Sequence, residues 1–266
     1  MTITTRDALI AASTAGQEIG WMKSAARTTI AAAWFSLFDL AGNPGAGTLA
    51  GSSTAAGVVP DDTVAGMPPV NSFGGGATGY LSTVDFGCSV AARLRLYDLL
   101  FKAGAYAFNA NVTLASQPSY AARVPGGDYT GLQIWIECVT AFTGNLSVAV
   151  TYTNQAGVTG RTTGTVALGI APTLGRLIQL PLQAGDSGAQ KIESVVATVA
   201  TVGTFNVLVM RRLWSGRVRI ANDGDLHGPD RTGLPIVFDT SALYPIIAAD
   251  STSSGVPELQ FGIVNG

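Results

Sequence analysis

Apolar side chains recur at every second position through the middle of this 266-residue chain, and no other feature constrains its fold as strongly. Leu94 and Leu96 alternate with Arg93, Arg95 and Tyr97. The same period of two recurs at 132–138 and 148–151. Because successive side chains of a strand point to opposite faces, each segment predicts a half-buried β-strand.

Further strands are predicted at 177–182, 192–200 and 205–213, with Gly- and Asn-rich turn segments between strands and no helical pattern separating them. Short strands at this spacing favour antiparallel pairing. The predicted fold is mainly β: an antiparallel β-sandwich, jelly-roll-like, over residues 80–215, with an N-terminal helical segment and long extended arms.

Residues 1–41 are predicted to be the helical segment. Thr5 can cap a first helix from Arg6, and Gly16 and Gly20 weaken it. Ser24 can cap a second helix, which could pack on its own core, dock on a partner subunit or lie at a membrane interface. Its apolar stripe is Ile30, Trp34, Leu37, Phe38 and Ala41.

Residues 42–79 are predicted to form an extended arm. Ten of these 38 residues are Gly, four are Pro, and Asp61 and Asp62 carry the only charges. Such a segment would be disordered alone, so we expect it to lie across a neighbouring subunit. Residues 216–266 mix turn residues with short apolar pieces and predict a C-terminal arm. We expect deletion of residues 1–79 to leave a folded domain that no longer binds its partner.

Charge is scarce, at 12% of residues, and the net charge of −2 excludes a globally basic nucleic-acid binder. Twelve Arg accompany only three Lys, a bias typical of contact surfaces. The apolar run near 30–38 is about half the length of a membrane span. With no basic region preceding an apolar one at the N-terminus, we expect synthesis in a cytoplasm.

The densest basic stretch lies near residue 214 and could serve as a subunit interface, a salt-bridged face or a nucleic-acid contact. We take the interface as the leading hypothesis. The candidate interface residues are Trp34, Phe38, Arg211, Arg212, Trp214, Arg217 and Arg219.

Little in the sequence predicts catalysis. His227 is the only histidine, no G-x-S-x-G motif surrounds a serine, and the glycines at 74–76 and 79 precede no lysine of a phosphate loop. We therefore expect no enzyme and no cofactor, and buried free thiols at Cys88 and Cys138. Asn222, Asp223, Asp225, His227 and Asp230 could hold a cation or form a solvated turn.

Four segments resemble virion structural proteins of tailed bacteriophages: LRLYDLL at 94–100, GLQIWIE at 131–137, VTYTNQAG at 150–157 and PLQAGDSG at 181–188. The resemblance implies a β-rich head-decoration, or cement, protein that is often trimeric and binds outside the capsid shell. The implied partners are further copies in a homotrimer and the phage major capsid protein, with no direct nucleic-acid or membrane contact, and the implied location is the virion surface.

Two alternatives stay open. The chain could be a tail, neck or baseplate component. It could also be a carbohydrate-binding module for host attachment, with Trp135, Tyr152 and Trp214 stacking on sugars.

Overall fold

The computed structural model describes residues 4–74, 78–144, 147–166, 172–197 and 202–266. The chain is mainly β, and every pairing between its strands is antiparallel, so the predicted sandwich of antiparallel sheets is confirmed. The predicted strand at 192–200 is present over its described part, and residues 198–200 lie outside the described ranges.

The elements follow one another in a simple order. The described residues contain two helices, α1 (Arg6–Thr14) and α2 (Pro229–Thr232). They also contain 3-10 turns at Ala121–Arg123 and Pro125–Gly127. The strands are β1 (Gln17–Lys23), β2 (Phe35–Ser36), β3 (Gly42–Asn43), β4 (Gly79–Cys88), β5 (Ala92–Ala107), β6 (Asn111–Thr113), β7 (Gln133–Thr140), β8 (Val148–Asn154), β9 (Arg161–Thr162), β10 (Leu177–Gln179), β11 (Ala189–Ala197), β12 (Thr204–Val218), β13 (Asp223–His227), β14 (Ile236–Val237), β15 (Leu243–Ala249) and β16 (Pro257–Asn265).

The strands form three sheets. The first runs β13-β4-β16-β1-β3, with β14 also paired to β4. The second runs β10-β7-β12-β5-β15-β2, and the third β6-β11-β8-β9. The long strands β5 and β12 span the second sheet. Their Leu94 and Trp214 ends pack against the first sheet, and their Phe101 and Phe205 ends against the third.

Helix α1 forms where the sequence predicts a first helix. The Thr5 hydroxyl accepts a hydrogen bond from the Ala8 amide at 3.1 Å, and the helix ends before Gly16. The chain then turns directly into β1, a strand that was not predicted from the sequence. Ile19 and Trp21 face the core while the intervening residues face outward.

The predicted second helix is wrong. Residues 24–41 are irregular apart from β2, because several of their backbone groups bond to distant parts of the chain and no run of helical hydrogen bonds forms along the segment. The Ala32 amide donates to the Ala249 carbonyl at 2.7 Å, and the Leu177 amide donates to the Trp34 carbonyl at 2.8 Å. The apolar side chains therefore enter separate core clusters, Leu37 beside the first sheet and Phe38 on the second.

The Gly-rich segment after β3 is held by its own chain. Val58 and Lys102 exchange backbone hydrogen bonds at 2.9 and 3.0 Å, and the Gly104 amide donates to the Ser53 carbonyl at 2.9 Å. Leu49 and Met67 are buried in the core. The described part, 42–74, thus needs no neighbouring subunit to be ordered, contrary to the sequence-based expectation; residues 75–77 lie outside the described ranges.

The C-terminal segment supplies interior strands, so its prediction as an arm is wrong. β15 is buried along its whole length between β5 and β2, and β16 lies between β4 and β1. Leu259, Phe261 and Ile263 of β16 fill the core of the first sheet. Cys88 and Cys138 are buried free thiols, as the sequence predicts.

Candidate functional site: an arginine cleft

Five guanidinium groups line a single cavity of about 400 Å³ that opens to solvent. The start of β5 contributes two of them, the end of β12 and the residue after it contribute two more, and α2 supplies the fifth. The cavity lies where β13, the edge strand of the first sheet, approaches the second sheet. We call it the arginine cleft, and its arginines are Arg93, Arg95, Arg217, Arg219 and Arg231.

The strand register places like charges face to face in the arginine cleft. Arg93 and Arg217 are direct cross-strand partners of β5 and β12, and Arg95 faces Ser215. Like charges directly opposite one another destabilise a sheet. The cleft therefore concentrates positive charge at a cost to folding, as a surface that binds an anionic group would.

Carboxylates neutralise only part of this charge. Arg93 pairs with Asp250 at 3.5 Å, and Arg231 pairs with Asp225 at 3.6 Å. The Arg95 guanidinium lies 4.3 Å from the Trp34 ring centroid, a cation–π contact that leaves its charge in place. Within the described ranges, Arg217 and Arg219 have no ion pair. Five guanidiniums thus face two carboxylates.

A hydrogen-bonded chain fixes the back wall of the cleft. The Trp214 Nε1–H donates to His227 Nδ1 at 2.9 Å, and His227 Nε2 lies 2.9 Å from Asp225 Oδ2. Because indole nitrogen can only donate, Nδ1 accepts and the imidazole proton is on Nε2, donating to Asp225. This chain holds β13 against β12 and orients the Asp225 carboxylate toward Arg231.

The seven candidate interface residues divide between surface and interior. Trp34, Arg217 and Arg219 line the arginine cleft. Arg212 is exposed on β12 opposite Tyr97, where burial raises the pKa of the Tyr97 phenol while Arg95 and Arg212 oppose that rise.

The other three point inward. Phe38 packs on Tyr244, with ring centroids 5.4 Å apart, and Trp214 lies against Phe86 in the core. Arg211 pairs with the buried Asp98 at 3.1 Å, and burial lowers the pKa of its guanidinium. These side chains are not available to a partner.

Three residues of the cleft, Arg93, Arg95 and Arg231, were not predicted as site residues from the sequence. The first two were visible as alternating charged positions of a predicted strand. Only the pairing of β5 with β12 brings them beside Arg217, and sequence spacing does not reveal that pairing.

Three of the five residues considered for a cation are otherwise engaged. Asp225 and His227 belong to the chain that ends on Trp214, and the Asp223 carboxylate accepts from the Gly224 amide. Within the described ranges, no three His, Cys, Asp or Glu side chains gather as a metal site.

The aromatic residues considered for sugar stacking, Trp135, Tyr152 and Trp214, are all buried. They therefore offer no ring face to a sugar at the surface. Over the same described ranges, no helix is both long and apolar enough to cross a bilayer.

No protein-family model matches this chain, and no curated protein matches it. Among solved structures it is similar to a VP2 subviral particle of infectious bursal disease virus, at 12% identity over 94% of this chain and 79% of that chain, with a TM-score of 0.19. The structure of the Gx strain of the same virus matches at 9% identity over 94% and 80%, with a TM-score of 0.16. Scores this low carry no argument about fold or function.

Proposed function

We propose that this chain is a non-enzymatic virion structural protein that binds the outside of a phage head and stabilises its lattice as a homotrimer. The observation that carries the proposal is the arginine cleft, which keeps a positive excess on a chain with little charge. Guanidiniums fork onto carboxylates and are enriched at protein interfaces. A partner bearing exposed carboxylates, whether a major capsid protein or a further copy of this chain in the homotrimer, fits this surface.

The scaffold around the cleft supports the same role. Backbone hydrogen bonds fasten the Gly-rich segment, β1 and the C-terminal strand β16 onto the sheets. A protein so cross-connected can transmit load between contacts without local unfolding, because these segments are pinned to interior strands. That property suits a clamp on a pressurised shell.

The test is cosedimentation with empty heads assembled from the cognate major capsid protein. Wild-type protein should pellet with heads at saturating stoichiometry and raise their thermal rupture temperature. The Arg217→Glu/Arg219→Glu variant should bind at least about tenfold more weakly, because each reversed charge repels the carboxylates that it faces, on the capsid or on a neighbouring copy of the homotrimer. Lys191→Glu, an exposed reversal on β11, is the matched control and should bind as wild type does.

Wild-type protein that stays in the supernatant would refute the capsid role. Assembly of the pure protein into large rings or tubes, with no affinity for heads, would favour a tail, neck or baseplate component instead.

A further inference from the structure

The outward side of the first sheet is the electrostatic opposite of the arginine cleft. Along β1, β16, β4 and β13, the exposed positions on this side carry three carboxylates and no basic side chain; the exposed Asp223 of β13 shares the opposite side with Asp225. Within the described ranges, none of the three carboxylates has an ion pair. We call this surface the acidic face, and its carboxylates are those of Glu18, Asp85 and Glu258.

The strand register gives the acidic face its shape. Met22, Glu258, Gly87 and Gly224 form one cross-strand row, and Gly20, Gln260, Asp85 and Leu226 form the next. A Cβ added at Gly20 would meet nothing within 4 Å, so this position opens onto solvent. Because the glycines of these two rows have no side chains, the carboxylates and two exposed apolar side chains project from the sheet without bulky neighbours.

Those two apolar residues are unusually open for their size. Met22 is 43% exposed and Leu226 is 66% exposed, beside the three carboxylates. Protein interfaces commonly have an apolar core surrounded by a polar rim, and apolar side chains flanked by charged ones match that arrangement. The acidic face thus offers burial as well as charge to a partner.

Strand alternation in β13 places the two surfaces back to back. Asp225 and His227 point into the arginine cleft, and Leu226, between them, belongs to the acidic face. The acidic face of one copy therefore cannot contact the arginine cleft of the same copy, whereas it can contact the arginine cleft of a second copy.

We infer that the acidic face of one copy docks on the arginine cleft of a second copy, in a head-to-tail contact. Because the two surfaces differ, the contact is heterologous, and a rotation that closes after three copies gives the ring of the proposed homotrimer. The inference deepens the self-association within the proposed function and needs no capsid. The occupant of the arginine cleft is then a set of carboxylates of this same chain.

Charge reversal tests the pairing directly. Wild-type protein at tens of micromolar should be an oligomer by size-exclusion chromatography with light scattering. Arg217→Glu/Arg219→Glu and Asp85→Arg/Glu258→Arg should each dissociate to monomer, with a dissociation constant raised at least about 100-fold, since facing like charges repel strongly. Combining all four substitutions restores opposite charges and should restore the oligomer.

Matched controls and salt complete the experiment. Lys191→Glu and Asp128→Arg reverse exposed charges outside both surfaces and should leave the oligomer intact. Raising NaCl to about 1 M shortens the screening length to about 3 Å and should dissociate the wild-type oligomer. Because this measurement uses wild-type protein, it tests the contact even if a charge-reversed variant does not fold. Any of three results would overturn the inference. The oligomer could be insensitive to salt, it could be unchanged by either double reversal, or the variant with all four substitutions could fold and stay monomeric.

The outcomes separate this inference from the capsid role. A wild-type monomer that still pellets with heads would refute the head-to-tail contact and leave capsid binding standing. A charge-dependent oligomer that does not pellet with heads would refute the capsid role and leave the head-to-tail contact standing.

Discussion

Arg217 lies directly opposite Arg93 on the antiparallel neighbours β12 and β5, so two guanidiniums share one face of the sheet at cross-strand distance. Arg93 has a partner in Asp250 at 3.5 Å, in a pair whose side chains are 43% and 36% exposed. An exposed pair of this kind adds little stability. The repulsion between Arg93 and Arg217 is therefore largely uncompensated in the isolated chain.

Arg217→Ser should make the isolated protein more stable. Removing one of two like charges at a cross-strand position should raise the free energy of unfolding by roughly 0.2–1 kcal/mol. Urea unfolding at low salt measures the change. Arg212→Ser, at an exposed position of β12 that faces Tyr97, is the matched control and should bring no gain. Equal or lower stability for Arg217→Ser would mean that the two guanidiniums do not repel one another as their register implies.

The buried Asp98 should be among the most costly residues to remove. Its carboxylate accepts from Arg123 at 2.6 Å, from Arg211 at 3.1 Å and from the Ser241 hydroxyl at 3.0 Å. Asp98→Ala leaves two buried guanidiniums unpaired and should lower the free energy of unfolding by about 3–5 kcal/mol. Urea or thermal unfolding measures the loss.

Two further variants calibrate this prediction. Asp250→Ala breaks the exposed pair with Arg93 and should cost less than about 1 kcal/mol. Ser241→Ala removes one hydrogen bond to Asp98 and should cost about 1 kcal/mol, which remains measurable if Asp98→Ala does not fold. Similar losses for the two aspartates would mean that burial does not decide the cost of removing a paired carboxylate from this protein.

The sequence predicted the elements that local patterns specify. The sequence indicated β5, β7, β8, β10, β11 and β12, and Thr5 marked the start of α1, but β4, β6 and β9 were not predicted. The alternation of apolar side chains is also present in β1, at Ile19 and Trp21, and in β16, at Leu259, Phe261 and Ile263. There, however, the neighbouring glycines and short apolar pieces indicated helix breaks and loops.

Long-range pairing decided the rest. Ile30, Trp34, Leu37 and Phe38 have helical spacing, yet long-range bonds hold the backbone between them. The Ala32 amide bonds to β15 and the Trp34 carbonyl to β10, both more than a hundred residues away. Pro245 lies within the interior strand β15 although proline cannot donate to a ladder; the neighbouring strand β2 pairs with β15 only through Ile246 and Ile247. The arginine cleft likewise depends on the register of β5 with β12, which local sequence does not encode.

Acid should destabilise the protein through Asp186. The hydrogen bond from Arg161 Nε at 2.9 Å, with further ones from Tyr152 and Asn154, lowers the pKa of the Asp186 carboxyl to about 2. An unfolded aspartate titrates near 3.9. The unfolded chain therefore binds more protons over this range, and this contribution to stability, complete above about pH 4, is lost as pH falls toward 2.

Substitutions at this site should flatten the acid response. Asp186→Asn cannot titrate, and Arg161→Ala removes the largest cause of the lowered pKa, so both variants should lose less stability than wild type between about pH 4 and pH 2. Urea midpoints measured across that range give the slopes. Asp128, whose pKa is lowered by Thr130, stays in all three proteins and leaves a shared residual slope. Parallel curves for wild type and Asp186→Asn would contradict the assignment.

Two N-terminal truncations that differ by only a few residues should have opposite effects on folding. α1 has no buried residue, so a chain that starts at Gly16 should fold with nearly wild-type stability. A chain that starts at Ser24 loses β1, which lies between β16 and β3 and buries Ile19, Trp21 and Lys23. It should not fold, and this prediction replaces the sequence-based expectation that residues 1–79 can be deleted from a folded domain.

Circular dichroism and thermal melting measure both truncations, and Trp21→Ala serves as the point control. Loss of that buried indole should cost about 3–5 kcal/mol, whereas Met22→Ala at the adjacent exposed position should cost far less. Lys23 adds a second reason for the difference, because its ammonium donates to the Leu40 and Pro44 carbonyls at 3.0 and 3.2 Å and so ties β1 to the start of the Gly-rich segment. A cooperative melt near the wild-type temperature for the chain starting at Ser24 would show that β1 is dispensable to the first sheet.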